Sequence, residues 1–111
     1  MSETYDLFQQ GRQHLRAGMP AQATVALEKA KKREPERASI REALGIAYFR
    51  IRRWPEAEAE FRKLVELSPA DHYANLALAR TLDKLGRSGE AARYHALARA
   101  LGPAGPPATT D

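Results

Sequence analysis

The sequence predicts an all-α protein made of three helical hairpins. β-branched residues are scarce and nowhere alternate with polar residues, so no segment shows the period-two pattern of a strand. Helix-breaking residues divide the chain into six segments of roughly 13 to 15 residues, a usual length for a globular helix. Pro35, Pro69 and Pro103 are each 34 residues apart. A constant interval of this length is typical of stacked helical hairpins.

The breakers place the six helices in chain order. The first helix should end before the turn at 18–20, and the second should begin at Pro20, because the first turn of a helix accommodates proline. Pro35 separates the second helix from the third. Pro55 lies just inside the start of the fourth helix, as Pro20 does in the second. The fourth, fifth and sixth helices should end at the breakers 68–69, 86–89 and 102–103.

Small residues recur at the same interval on both helices of each hairpin. The first helices carry Gly11, Gly45 and Ala79, and the second helices carry Ala23, Ala57 and Ala91. We expect these positions to lie where the two helices of a pair cross, since a larger side chain there would force the backbones apart. Each hairpin therefore buries one face against its partner helix and another against the next hairpin.

The repeated columns resemble the tetratricopeptide repeat family, with repeats at 4–37, 38–71 and 72–105. The middle copy matches the family spacing best, through Leu44-Gly45, Tyr48, Ala57, Phe61 and Pro69. The resemblance implies a right-handed α-solenoid of six antiparallel helices, forming a single domain over residues 1–105. Residues 106–111 are rich in proline and are expected to form a disordered tail.

Composition and motifs argue against an enzyme. The chain of 111 residues has no cysteine, which excludes a disulfide framework, a thiolate nucleophile and a cysteine-based zinc site. It has no glycine-rich phosphate loop, no serine nucleophile motif and no pair of histidines four residues apart. We therefore expect no catalytic residues, cofactor or metal. The N-terminus lacks the pattern of a signal peptide, so a cytoplasmic location is the expectation.

The resemblance implies a binding surface on the concave face, formed by the first helix of each hairpin. At 100° per residue, Phe49 and Arg50 point away from the core positions Leu44 and Tyr48. Arginine binds carboxylates through two hydrogen bonds, and exposed rings add apolar contact area, so an extended peptide with acidic and hydrophobic residues is the expected partner. The candidate binding residues are Tyr5, Phe8, Arg12, Leu15, Arg16, Glu42, Ile46, Phe49, Arg50, Tyr73, Leu76, Arg80, Asp83 and Lys84.

Some members of this family bind the terminal carboxylate of chaperone tails through lysine, asparagine and arginine side chains. The matching positions in this sequence hold Phe8, Arg12, Ala43, Tyr73 and Ala77. Only Arg12 has a side chain that could contribute to such a site. We therefore expect that a chaperone-tail peptide does not bind specifically.

Two alternative functions remain open from the sequence. The last helix has no following helix to cover it, so Tyr94, Leu97 and Leu101 could form an edge for homo-dimerisation or a larger assembly. Helical-hairpin repeats also occur in RNA-binding proteins. RNA binding is the less favoured alternative, because the middle repeat is electrically neutral and the cations form no continuous stripe. No membrane partner is expected.

Overall fold

The computed structural model describes residues 2–102, and six α-helices with no strand make up this part of the chain. The all-α prediction and the right-handed solenoid of antiparallel hairpins are confirmed. The predicted tail, 106–111, lies outside the described residues. The helices are α1 (Glu3–Arg16), α2 (Pro20–Arg33), α3 (Ala38–Arg50), α4 (Trp54–Leu67), α5 (His72–Lys84) and α6 (Ser88–Leu101).

Local sequence signals explain where the helices begin. The Ser2 hydroxyl accepts a hydrogen bond from the backbone N–H of Tyr5 at 3.2 Å, which caps α1. The Asp71 carboxylate accepts from the backbone N–H of Tyr73 at 3.0 Å and caps α5. Pro20 and Pro55 occupy the first turns of α2 and α4, as the sequence predicted. No helix within residues 2–102 combines the length and hydropathy needed to span a membrane.

The small residues lie at the helix crossings, as expected. A Cβ atom added to Gly45 would lie 2.5 Å from Cε1 of Phe61, a separation too short for two carbon atoms. Gly11 faces Leu27 in the same way in the first hairpin. Ala57 is fully buried in the core that joins the second and third hairpins. The approach of the paired helices therefore depends on the missing side chains.

The fourth residues of the second and third repeats, Arg41 and Asn75, form hydrogen bonds to backbone carbonyls. Arg41 donates from Nε to the carbonyl oxygen of Pro35 at 2.9 Å. Asn75 donates to the carbonyl oxygen of Pro69 at 3.1 Å, and the residue is buried. Both side chains thus bind the turn that precedes their own helix. These polar side chains stabilise the turn by satisfying its backbone carbonyls.

The turn between α3 and α4 carries measurable backbone strain. Arg52 has φ of 62°, whereas the equivalent turn residues are Gly18 with φ of 75° and Gly86 with φ of 76°. A residue with a side chain is strained in this left-handed conformation, whereas glycine is not.

We expect Arg52→Gly to raise the free energy of unfolding by about 0.5 to 1 kcal/mol. Arg52 is exposed and forms no ion pair within residues 2–102, so little else is lost with its side chain. Urea denaturation followed by circular dichroism measures the change. Gly18→Ala, where no atom lies within 4 Å of the added Cβ, should have the opposite sign. A loss of stability in Arg52→Gly would show that the turn is not strained.

Candidate functional site

The first helices of the hairpins form a groove with two connected cavities. The α1–α3 cavity has a volume of about 480 Å³ and the α3–α5 cavity about 240 Å³. Ile46 lines both cavities, so they adjoin at this side chain and belong to one groove. The α1–α3 cavity is lined by Phe8, Arg12, Leu15, Arg16, Ser39, Glu42, Ala43 and Ile46. The α3–α5 cavity is lined by Ile46, Phe49, Arg50, Phe61, Tyr73, Ala77 and Arg80.

A third cavity extends the groove around the N-terminal end of α1. It shares Phe8, Arg12 and Ser39 with the neighbouring surfaces and is also lined by Tyr5. The Tyr5 side chain is 55% exposed, the most exposed aromatic ring in the described chain. Tyr5, one of the predicted binding residues, therefore lies in this third cavity with its ring largely exposed.

Three of the candidate residues line none of these cavities. Asp83 lies 2.8 Å from Nε2 of His95 on α6. The Lys84 ammonium lies 5.6 Å above the ring of Trp54, and Leu76 is partly buried on α5. Within residues 2–102 no hairpin follows α6, so the side of α5 that carries Leu76 and Asp83 has no opposing wall. The equivalent residues of the first two hairpins line cavities because a following helix provides that wall.

The groove arginines differ in what they contact. The Arg12 guanidinium lies 5.5 Å above the ring of Phe8, an arrangement that restrains its position. Arg50 donates from Nη1 to the carbonyl oxygen of Leu15 at 3.1 Å, at the C-terminal end of α1. Arg80 is exposed and, like Arg12, forms no ion pair with any residue in 2–102. Arg12 and Arg80, together with the exposed Arg16, therefore present guanidinium donors to the groove, whereas Arg50 is engaged with the backbone.

One acidic side chain, Glu42, lies on the central helix of the groove. Burial raises the pKa of the Glu42 carboxyl above its usual value, and the negative charge of Asp71 adds to this effect. Arg12 opposes the rise without forming an ion pair with Glu42. Burial and the charge of Glu42 likewise raise the pKa of Tyr73. The carboxylate is thus held in surroundings that disfavour its charge.

Aromatic rings close the floor of the α3–α5 cavity. Phe61 is 2% exposed and reaches the cavity from α4. Phe49 packs edge-to-face on Trp54, with ring centroids 4.8 Å apart. The groove therefore combines an apolar floor with cationic walls.

Four residues that line the α1–α3 and α3–α5 cavities are absent from the predicted binding residues. Ser39, Ala43 and Ala77 are small, and each lies three or four residues from a predicted groove residue, so helical spacing could have found them. Phe61 gave no such signal, because it belongs to the second helix of its hairpin and its pattern is that of a core residue. Within residues 2–102, no three histidine or acidic side chains are placed to hold a metal ion.

Comparisons with known proteins agree with this architecture. A family model described as tetratricopeptide repeat matches residues 8–72 and 43–106. Superkiller complex protein 3 of Mus musculus is 33% identical over 87 residues, which cover 78% of this chain and 6% of that relative. The chain thus spans only a small part of that relative's length.

Two solved structures illustrate the likeness in fold. MamA AMB-1 has a TM-score of 0.84 at 23% identity, covering 88% of this chain and 58% of MamA. The second repeat domain of Spaghetti (RPAP3), bound to the HSP90 peptide SRMEEVD, has a TM-score of 0.85 at 17% identity, covering 91% of this chain and 94% of that domain. The chain therefore belongs to the tetratricopeptide repeat family, whose members are protein-interaction modules.

Proposed function

We propose that the protein is a non-enzymatic adaptor of the cytoplasm that binds a peptide or partner helix in the groove between α1, α3 and α5. The observation that carries this proposal is the pair of guanidinium groups, Arg12 and Arg80, beside a continuous apolar floor. Open cavities of this kind offer contact area rather than a site closed to water, which favours binding over catalysis.

The chemistry of the groove favours a ligand with acidic and hydrophobic residues. Arg12 is already restrained by Phe8, so less side-chain entropy is lost when it binds a carboxylate. Apolar ligand side chains would fill the α3–α5 cavity against Ile46, Phe49 and Tyr73. Aromatic and arginine side chains of this type commonly supply most of the binding energy in interfaces.

A chaperone-tail peptide is not the ligand that this groove suits. The Spaghetti domain was solved with the HSP90 peptide, but at 17% identity the likeness shows only a shared fold. Ala43 and Ala77 stand at two of the positions where family members bind the terminal carboxylate, and a methyl group donates no hydrogen bond.

We expect a displayed library of random dodecapeptides to yield binders that depend on the groove. Arg12→Ala combined with Arg80→Ala should weaken the best of these peptides at least about tenfold in calorimetry, because each guanidinium contributes a charge-assisted contact. Arg93→Ala combined with Arg99→Ala removes the same charge from exposed positions on α6 and should leave the affinity unchanged. Peptide SRMEEVD should show no saturable binding.

The library experiment can also contradict the proposal. Peptides that bind equally well to the groove variant and to wild type would place the binding surface elsewhere. Failure to select any peptide would remove the adaptor proposal for an extended ligand. Arg50 is left intact in the variant, since its bond to the Leu15 carbonyl gives it a structural role.

A second candidate function is self-assembly through the outer face of α6. Leu97 is 41% exposed and Leu101 is 38% exposed, so an apolar edge is present. Tyr94, the third residue predicted for this edge, is partly buried against the core of the second and third hairpins. A mass from light scattering that stays that of one chain at all concentrations would exclude this candidate.

A further inference from the structure

We propose that the groove selects a peptide with a lysine or arginine opposite Glu42, flanked on both sides by acidic residues. This inference rests on the proposed function and names the charge order of the ligand. It follows from three observations on Glu42: its position in the groove, the lack of a partner for it within the described part of the chain, and surroundings that disfavour its charge.

Glu42 lies on the middle helix of the groove, between α1 and α5, which carry Arg12 and Arg80. Arg12 is on α1, Glu42 on α3 and Arg80 on α5, and all three line the cavities described above. A ligand that crosses the groove therefore meets a positive, a negative and a positive group in that order. Complementary charges on the ligand have the order acidic, basic, acidic.

Glu42 differs from every other glutamate within residues 2–102, because the others all form ion pairs. The partners are arginines or lysines in each case, at the surface and in the interior alike. Glu42 accepts no side-chain hydrogen bond from these residues either, although Arg12 lines the same cavity. Instead the Arg12 guanidinium lies over Phe8. The protein thus satisfies nine glutamates internally and leaves this one open to the groove.

The surroundings of Glu42 give no structural reason for a carboxylate. The side chain is partly buried, and Asp71 repels its charge. A neutral side chain of the same shape would avoid both penalties. A carboxylate that weakens the fold and has no partner among residues 2–102 is explained by a cation that the ligand supplies.

Helix spacing sets the length of the ligand segment. Helices in contact lie about 10 Å apart, and α3 lies between α1 and α5, so the separation of Arg12 and Arg80 is on the order of 20 Å. An extended chain advances about 3.3 Å per residue, so about six residues separate the two acidic positions. The basic residue lies near the middle of this segment.

The test selects the same dodecapeptide library on wild type and on Glu42→Gln. Wild type should enrich peptides with a lysine or arginine between two acidic residues. Glu42→Gln should keep the acidic residues and lose the enrichment of the basic one. In calorimetry, Glu42→Gln should weaken the best wild-type peptide about tenfold, and replacing that peptide's basic residue with glutamine should weaken it by a similar factor. The two changes together should cost little more than either alone.

The outcomes separate this inference from the proposed function. Thermal denaturation should show Glu42→Gln to be at least as stable as wild type, so lost selection is not lost folding. Peptides that need Arg12 and Arg80 but carry no central basic residue would overturn this inference and leave the proposed function standing. Equal enrichment of the basic residue in the selections on wild type and on Glu42→Gln would do the same. Selection of no peptide by wild type would overturn both.

Discussion

Glu60→Ala is expected to lower the free energy of unfolding by about 3 kcal/mol. The Glu60 side chain is 5% exposed and lies 2.8 Å from Nζ of Lys31 and 2.9 Å from Nη1 of Arg41. These three groups belong to α4, α2 and α3, so the cluster joins the first hairpin to the second. Its removal leaves two cations without their anion. The loss in the free energy of unfolding should be at the lower end of the range for broken buried ion pairs, because Lys31 is 23% exposed and water can hydrate its ammonium group.

The charge state of Lys31 makes neutral pH the right condition for this measurement. Burial by itself would lower the pKa of Lys31, but the hydrogen bonds to Glu60 and Glu28 and the negative charges of both together hold it above the usual value. A cation with a raised pKa in the folded state stabilises fully below its unfolded pKa and loses this contribution only as the pH rises through the folded value. The whole effect is therefore present at pH 7.

Glu66→Ala provides the matched control for Glu60→Ala. Glu66 is on the same helix and faces Lys63 at 3.6 Å, but its side chain is 72% exposed. Exposed pairs contribute little, so this variant should change stability by less than about 0.5 kcal/mol. Urea denaturation of both variants gives the comparison. Equal effects would mean that the buried cluster does not join the hairpins.

Gly45→Ala is expected to lower the free energy of unfolding by about 1 to 3 kcal/mol, although alanine is normally the better helix former. The added Cβ would lie 2.5 Å from the Phe61 ring, which is almost fully buried. The ring has to move, and it forms the floor of the α3–α5 cavity. The variant should therefore also bind groove ligands more weakly, which calorimetry with a selected peptide would measure.

Gly89→Ala tests the same substitution without the contact. Gly89 is in the first turn of α6, and nothing lies within 4 Å of the added Cβ. This variant should gain about 0.5 kcal/mol from helix propensity and the reduced freedom of the unfolded chain. A gain in Gly45→Ala as well would contradict the tight crossing. The third repeat already has Ala79 at the position of Gly45, with His95 in place of Phe61.

The sequence predicted the fold well because its signals are local and repeated. Pro20 and Pro55 start helices through their own backbone geometry, and Gly45 permits a close crossing through its missing side chain. Most of these signals occur in each hairpin. The pattern therefore remains recognisable when one copy departs from it. The repeat boundaries and the tail stay predictions.

The sequence by itself determined the helices, their pairing and the face that carries Arg12, Glu42 and Ile46, because helical spacing decides which residues share a face. The tertiary structure alone decided which contacts the side chains of the predicted site make. It engages Arg50 with the Leu15 carbonyl and Asp83 with His95, and it leaves Glu42 without a partner among the described residues. Such contacts join helices far apart in sequence and depend on side-chain conformations, which no spacing rule specifies.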